Sequence, residues 1–222
     1  MHFCKVAQIL ELAINTVLIA VLGLLIGIIL GTIIAMVKVA PKYKWYMRFL
    51  NGICNVYVEF FRGTPMTVQL LLAYYVIVPL IGLKGVEALN VGIIVFGLNS
   101  AAYVSEIMRG GINSVDSGQL TAGRALGLSY PITMIKIVIP QAIKNILPTL
   151  GNEFIALIKE TSVAGFIGAI DLTLAFRKIA GGTYDHLTVY LMMGIVYFVI
   201  VFFITLILNK LERKYISDAY TK

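Results

Sequence analysis

Charge is scarce in this chain. Only 13% of its 222 residues are Asp, Glu, Lys or Arg, about half of the ~25% usual in a soluble domain, while 59% are hydrophobic. So much apolar surface does not fit inside one soluble core, which excludes an ordinary water-soluble domain. Histidine and cysteine are scarce, two of each. His2, His186, Cys4 and Cys54 lack the spacing of a metal site, so no metal is expected. No Gly-Lys dipeptide occurs anywhere in the sequence, so there is no phosphate-binding loop, and the chain itself is not expected to hydrolyse ATP. No catalytic constellation is visible.

What is present is a set of long uncharged runs. Residues 12–37, 63–83 and 187–209 contain no acidic or basic side chain, and each reaches the ~18–20 residues that cross a bilayer. Residues 88–105 form a shorter run of just spanning length, extended here to 108. A fifth span is expected over 137–158, although it carries Lys144, Pro148 and Glu153. The runs are continuous rather than alternating, which favours helices over a barrel. The expectation is a single 1–222 domain, an all-α integral membrane protein with five transmembrane helices. The first run is longer than the apolar core of a cleaved signal and is read as a retained helix.

Five spans put the termini on opposite sides. With the N-terminus outside, the inner segments hold 13 of the 18 Lys and Arg residues and the outer segments 5, as the positive-inside bias requires. The C-terminus is then cytosolic, as is the segment 113–131. Cys4 falls outside and Cys54 inside, so they do not pair. The net charge of +7 comes from basic clusters beside spans, where anionic lipid headgroups attract them; no nucleic acid is needed to explain it. Ala40 to Tyr46, with Lys42, Lys44 and Trp45, reads as an interfacial patch. Gly23, Gly27 and Gly31 recur every four residues and predict close helix packing. In the long outer segment, Thr161 to Gly168 is too apolar for a free loop and is expected to re-enter or lie on the membrane face.

The polar stretch at 117–140 reads SGQLTAGRALGLSYPITMIKIVIP. Asp116 or Ser117 can cap a short helix, Leu120, Gly123, Leu126 and Gly127 are expected on one side of it, and Gly127 suits its tight end. The frame is Thr121-Ala122-Gly123, then Gly127, then Ile137-Val138-Ile139-Pro140. It resembles the coupling loop of bacterial ABC-importer permeases: Glu-Ala-Ala, three residues, Gly, nine residues, Ile, one residue, Leu-Pro. Thr121 stands where that pattern has Glu, and Gly123 where it has the second Ala. Two further segments, Glu59-Phe60-Phe61-Arg62-Gly63-Thr64-Pro65 and the run from Asn99-Ser100-Ala101-Ala102-Tyr103 to Glu106-Ile107-Met108-Arg109-Gly110-Gly111-Ile112, resemble permeases for polar amino acids. With the loop they cover much of residues 59–148 in the family's order.

The resemblance implies a type I permease fold with a cytosolic coupling helix, in a bacterial cell membrane. It implies a second permease subunit, with a homodimer favoured, two ATP-binding subunits that hold ATP and Mg, and an external solute-binding protein. Coupling residues on this reading are Leu120, Thr121, Ala122, Gly123, Leu126 and Gly127. No cofactor is expected in the chain itself. Two other classes stay open: an ion- or proton-coupled secondary amino acid transporter, which internal inverted repeats would favour though no duplication is visible, and a channel or scaffold subunit.

Glu153 carries the substrate reading. Counting from the inner side, it stands ~20 Å into the membrane, where a carboxylate costs at least ~2.5–3.5 kcal/mol and should face a cavity and a partner. No fixed cation is an obvious partner, so the substrate's cationic group is one candidate, with Lys159 or a nearby backbone amide taking the α-carboxylate. That favours basic amino acids: arginine, lysine or histidine. Pairing of Lys159 with Glu153 or Glu160 at the outer boundary is the alternative. Glu160, Thr161 and Asp171 are further candidates. Gln69, Asn99, Ser100 and Tyr103 could line the same cavity, or serve helix packing. Glu59 with Arg62, and Glu106 with Arg109, are spaced to pair on a helix and are expected to fix helix ends or an interface.

Overall fold

The computed structural model describes the backbone of residues 2–220 and the side chains of residues 12–213. Expectations about His2, Cys4, Lys5, Lys214 and Lys222 lie outside those side chains. Every regular element among the described residues is helical. α1 is His2–Val39, α2 is Trp45–Gly63, and α3 is Met66–Leu80. α4 is Ala88–Ser114 and α5 is the short Ser117–Ala125. α6 starts as Tyr130–Thr133, widens into a π turn at Met134–Val138 and runs on as Ile139–Glu160. A 3₁₀ segment, Thr161–Ile167, follows. α7 is Leu172–Thr183 and α8 is His186–Tyr220.

α1, α4 and α8 are long and apolar enough to span alone. α6 is 22 residues long from Ile139, and its charges keep it from standing out by hydropathy. The run expected as a span at 63–83 holds the helix α3, Met66–Leu80, which starts three residues later than expected, after a sharp corner. α2 ends at Gly63, Thr64 and Pro65 are extended, and α3 leaves at 108° to α2. The cause is local: a residue before proline avoids the α region, and Thr64 at ψ 144° obeys that rule. The interfacial patch therefore leads into a helix of its own, α2, which begins at Trp45.

Both π turns are tied to prolines. A helical proline lacks an N–H and clashes with the carbonyl four residues back. For Pro79 that residue is Tyr75, inside the π turn Ala73–Ile77; for Pro140 it is Lys136, inside Met134–Val138. Widening the turn relieves the clash without ending the helix.

The glycine seam forms as expected. A Cβ on Gly27 would stand 2.6 Å from Ser100 Oγ, and one on Gly31 would stand 2.9 Å from the Ala101 carbonyl and the Ser105 amide. From the other side, a Cβ on Gly97 would meet Ile26 at 2.7 Å. α1 and α4 thus lie backbone to backbone and form the centre of the bundle.

Two apolar clusters fill it. One joins Ile19, Leu70, Val95, Phe96, Leu157, Ile158 and Ile167. The other joins Ala35, Val104, Met108, Met134, Val138, Ile146 and Leu150. The segment Thr161–Ile167 belongs to the first: Thr161, Ala164 and Ile167 are buried at the three-residue period of a 3₁₀ helix. It ends at Gly168, whose φ is 80°. It is neither a free loop nor a surface strip, but part of the packing.

Candidate functional site

The two clusters leave a polar level between them. On α4 it lies between Phe96 and Val104, and on α6 between Leu150 and Leu157. Ser100 and Glu153 occupy that level, and Ser100 Oγ donates to Glu153 Oε1 at 3.1 Å. Ser100 is fully buried, and Glu153 is partly so. Among the described residues, no Lys or Arg reaches Glu153. Lys159 and Glu160 are exposed and form no ion pair with Glu153 or with each other.

The expected cavity is placed differently. An apolar cavity of about 580 Å³ opens between α1, α6 and α8, lined by Leu24, Ile28, Pro148, Gly151, Phe154 and Leu208 among others. Between Leu147 and Ala156, the residues missing from that lining are Thr149, Glu153 and Ala156, which share the opposite face by helical period. Glu153 turns away from this cavity and toward α4.

Gln69 and Asn99 meet at the break between α2 and α3. Gln69 Nε2 donates to the Phe61 carbonyl (2.8 Å), the Thr64 carbonyl (3.0 Å) and Thr64 Oγ1 (2.9 Å). Asn99 Nδ2 donates to Gln69 Oε1 at 3.0 Å and to the Phe61 carbonyl at 3.3 Å. These amides satisfy carbonyls that the end of a helix leaves open, in a buried place where an orphan would be costly. The side-chain nitrogens of both residues are taken up by the break.

The charged pairs expected along the helices divide. Glu106 binds Arg109 at 2.8 Å, and it also pairs with Lys38 of α1, so the cluster ties two helices together. Lys38 was missed because its partner lies 68 residues away; sequence spacing reveals only local pairs. Glu59 and Arg62 form no ion pair. The Arg62 guanidinium lies over the Tyr103 ring, 5.4 Å from its centre, a cation–π contact.

Asp171 and Thr161 are buried. Asp171 is not a solvated loop residue. It caps α7, accepting from the amides of Leu174 (2.9 Å) and Thr173 (3.2 Å). Burial pushes its carboxyl above the ordinary range, against those bonds. Thr161 Oγ1 donates to the Ile158 carbonyl at 2.7 Å.

α5 lies after α4 as a short separate helix. Asp116, rather than Ser117, caps it, accepting from the Gly118 amide at 2.6 Å. Gly127 closes its end with φ 84°. The face expected to hold Leu120, Gly123, Leu126 and Gly127 together is split. Leu120 packs on the second apolar cluster. Gly123 is buried so tightly that a Cβ would stand 2.5 Å from Thr133 Cγ2. The helix stops at Ala125, so Leu126 and Gly127 leave its face, and Leu126 is 82% exposed. Thr121 and Ala122 also point outward.

This arrangement, a bundle with an outlying short helix seated on the start of a span, is shared with known proteins. A family model described as the inner membrane component of binding-protein-dependent transport systems matches residues 23–217. The chain belongs to that family. Among inner membrane components of known kind, it is 37% identical over 214 residues to the arginine transport system permease protein ArtQ of Bacillus subtilis (strain 168), covering 96% of this chain and 95% of the relative. It is 36% identical over 212 residues to a putative glutamine transport system permease protein GlnP of Rickettsia bellii (strain RML369-C), covering 96% and 94%. A crystal structure of an amino acid ABC transporter with histidines superposes with a TM-score of 0.82 at 36% identity over 96% of both chains. The inward-facing MetNI methionine ABC transporter superposes at 0.74 with 18% identity, which speaks for the fold alone. The fold is that of a type I ABC importer permease, a multi-pass membrane component that is not itself the catalyst.

Proposed function

We propose that this chain is the membrane-spanning permease subunit of an ATP-driven importer for amino acids, and that its substrates are cationic ones such as arginine, lysine or histidine. Glu153 carries the reading. It is a carboxylate at the polar level of the bundle, hydrogen-bonded by a neutral hydroxyl and, among the described residues, facing no fixed cation. A substrate ammonium or guanidinium would supply the missing charge. Lys159, exposed two turns further along α6, would take the α-carboxylate, with Glu160 at the outer rim and the buried Thr161 closing the helix end beneath it. Gln69, Asn99, Asp171 and the Arg62-stacked Tyr103 act on this reading as the frame around the site. The names of the relatives, arginine and glutamine permeases, support amino acid transport as a class.

In the complete importer, this chain pairs with a second copy of itself. Two ATP-binding subunits, which hold the ATP and Mg, dock on the two α5 helices through Thr121, Ala122 and Leu126. Leu120, Gly123 and Gly127 seat and close that helix. An external binding protein delivers substrate, with the N-terminus outside and the C-terminus cytosolic. The site opens alternately to the two sides as the ATP-binding subunits close, which requires two packings that ATP and substrate bias differently.

The test is uptake in proteoliposomes holding the complex of this chain, its ATP-binding subunits and its binding protein. Glu153→Gln is expected to cut arginine uptake about tenfold or more, the loss of one charge-assisted contact, while ATP hydrolysis persists. Arginine uptake equal to wild type would reject the cation site. Uptake driven by a pH gradient without ATP would reject the importer itself.

A further inference from the structure

Serine inside a helix ordinarily turns its hydroxyl back to a carbonyl one turn earlier. Two serines of α4 do so: Ser105 donates to the Ala102 carbonyl at 2.8 Å and Ser114 to the Gly111 carbonyl at 2.7 Å. Thr16 on α1 does the same toward Leu12 at 3.4 Å. Ser100 departs from this pattern. It is fully buried, and its hydroxyl leaves its own helix to reach Glu153 on α6.

The reason lies on the other side. Gly27 of α1 backs onto Ser100 so closely that a Cβ there would stand 2.6 Å from Ser100 Oγ and 2.8 Å from Ser100 Cβ. Ser100 is therefore held between a glycine that leaves room for it and a carboxylate that uses it. Gly23 and Gly31, by contrast, meet Phe96 and the Ala101–Ser105 stretch, which reach α6 through apolar packing rather than a hydrogen bond. Of the three glycines in the seam, Gly27 is the one with a route to the polar level.

We infer that Ser100, seated by Gly27, is a positioning residue that sets the orientation of the Glu153 carboxylate and thereby the discrimination between cationic and neutral amino acids. The inference rests on the reading of Glu153 as the cation site. Ser100 occupies one oxygen of the carboxylate, so the substrate cation meets Oε2, and the carboxylate plane is fixed before substrate arrives. Without that bond the carboxylate rotates, and part of the binding energy for a cation goes into ordering it. Arginine and citrulline, which share shape and differ in charge, separate this effect from simple size selection.

The experiment measures initial uptake of arginine and of citrulline by the reconstituted complex, for wild type, Ser100→Ala, Gly27→Ala, Glu153→Gln and the Ser100→Ala/Glu153→Gln double variant. ATP hydrolysis serves as the control for assembly. Ser100→Ala is expected to raise KM for arginine about three- to fifteenfold, the range of interhelical hydrogen bonds in membranes, with kcat and citrulline uptake little changed. Gly27→Ala, which keeps the hydroxyl but displaces it, should lower the arginine-to-citrulline ratio in the same direction. In the Glu153→Gln background, Ser100→Ala should change that ratio no further, the non-additivity of residues acting through one contact. If Glu153→Gln abolishes the arginine preference and Ser100→Ala leaves it intact, the positioning role alone is overturned. If Glu153→Gln itself leaves the preference intact, the cation site falls, and the positioning role with it. Equal loss of arginine uptake, citrulline uptake and ATP hydrolysis in Ser100→Ala would mark a structural residue and also overturn the inference.

Discussion

Lys38, near the end of α1, forms an ion pair with Glu106 on α4, and Arg109 binds the other oxygen of the same carboxylate. Lys38 and Glu106 are largely shielded, at 12% and 19% side-chain exposure. Glu106→Gln is expected to destabilise the protein by about 2–3 kcal/mol, somewhat below the ~3–5 of a fully buried pair, because it leaves Lys38 without its counter-charge. Lys38→Met should cost less, since Arg109 still neutralises Glu106. Thermal unfolding in detergent, read by intrinsic fluorescence, checks the order; equal effects would mean that Arg109 contributes nothing.

The break between α2 and α3 depends on amide side chains. Gln69→Leu removes the donor to the Thr64 carbonyl and leaves the Phe61 carbonyl only the longer bond from Asn99; an orphaned buried group costs about 1–3 kcal/mol. Asn99→Leu leaves Gln69 still bonded and is expected to cost roughly half as much. The measurement is the melting temperature, together with a spin-label distance across the break, which should broaden in Gln69→Leu and stay narrow in Asn99→Leu.

On α5, three substitutions should rank clearly. Gly123→Val drives side-chain atoms into Thr133, and Gly127→Val forces a β-branched residue to a φ of 84°, which only glycine tolerates easily. Both should uncouple ATP hydrolysis from uptake by about tenfold or more, as misplacement of a working contact does. Thr121→Ala should change the ratio of uptake to hydrolysis less than twofold, since its hydroxyl is taken by the Ser117 carbonyl of its own helix and the docking it shares with Ala122 and Leu126 rests on shape rather than on that hydroxyl. Equal, small effects of all three changes would show that the coupling surface lies elsewhere.

Asp171 gives a pH prediction. Burial raises its carboxyl above the ordinary range in the folded protein, so the fold holds the proton more tightly than the unfolded chain does. The stabilisation from that proton is present in full below the ordinary aspartate range and is lost as pH rises through the raised one. Asp171→Asn should flatten this part of the melting profile, and Asp171→Ala should cost a further ~1 kcal/mol through the lost cap. A profile of unchanged slope in Asp171→Asn would overturn the assignment.

The parts of the molecule legible in the sequence are those set by local rules. The glycine seam, the Asp116 cap, the positive φ at Gly127 and the Glu106–Arg109 pair each follow from residues within a few positions of one another. Hydropathy located the apolar helices for the same reason. It misplaces only the start of the run at 63–83, because a window average sees composition and not direction: Gly63-Thr64-Pro65 is the corner between α2 and α3. Lys38 to Glu106 and Ser100 to Glu153 could not be read at all. Both join residues more than fifty positions apart, and only the packing of α1, α4 and α6 brings them together. The polar side chains of the candidate site were visible as a group, but which of them face Glu153 and which hold the corner is a matter of tertiary contact.

One consequence of α6 concerns its two ends. The helix carries Thr133, on which Gly123 is seated, and Glu153, twenty residues on, about 30 Å along the axis at 1.5 Å per residue. Any displacement of α5 would therefore act on one end of a lever whose other end bears the carboxylate. A tilt of only about 5° about the inner end would carry Glu153 roughly 2.6 Å sideways by the same geometry, comparable to the 3.1 Å that separates it from Ser100. The π turn at Met134–Val138 and Pro148 are the joints along that lever, and their stiffness decides how much of a displacement at α5 arrives at the carboxylate and how much is absorbed on the way.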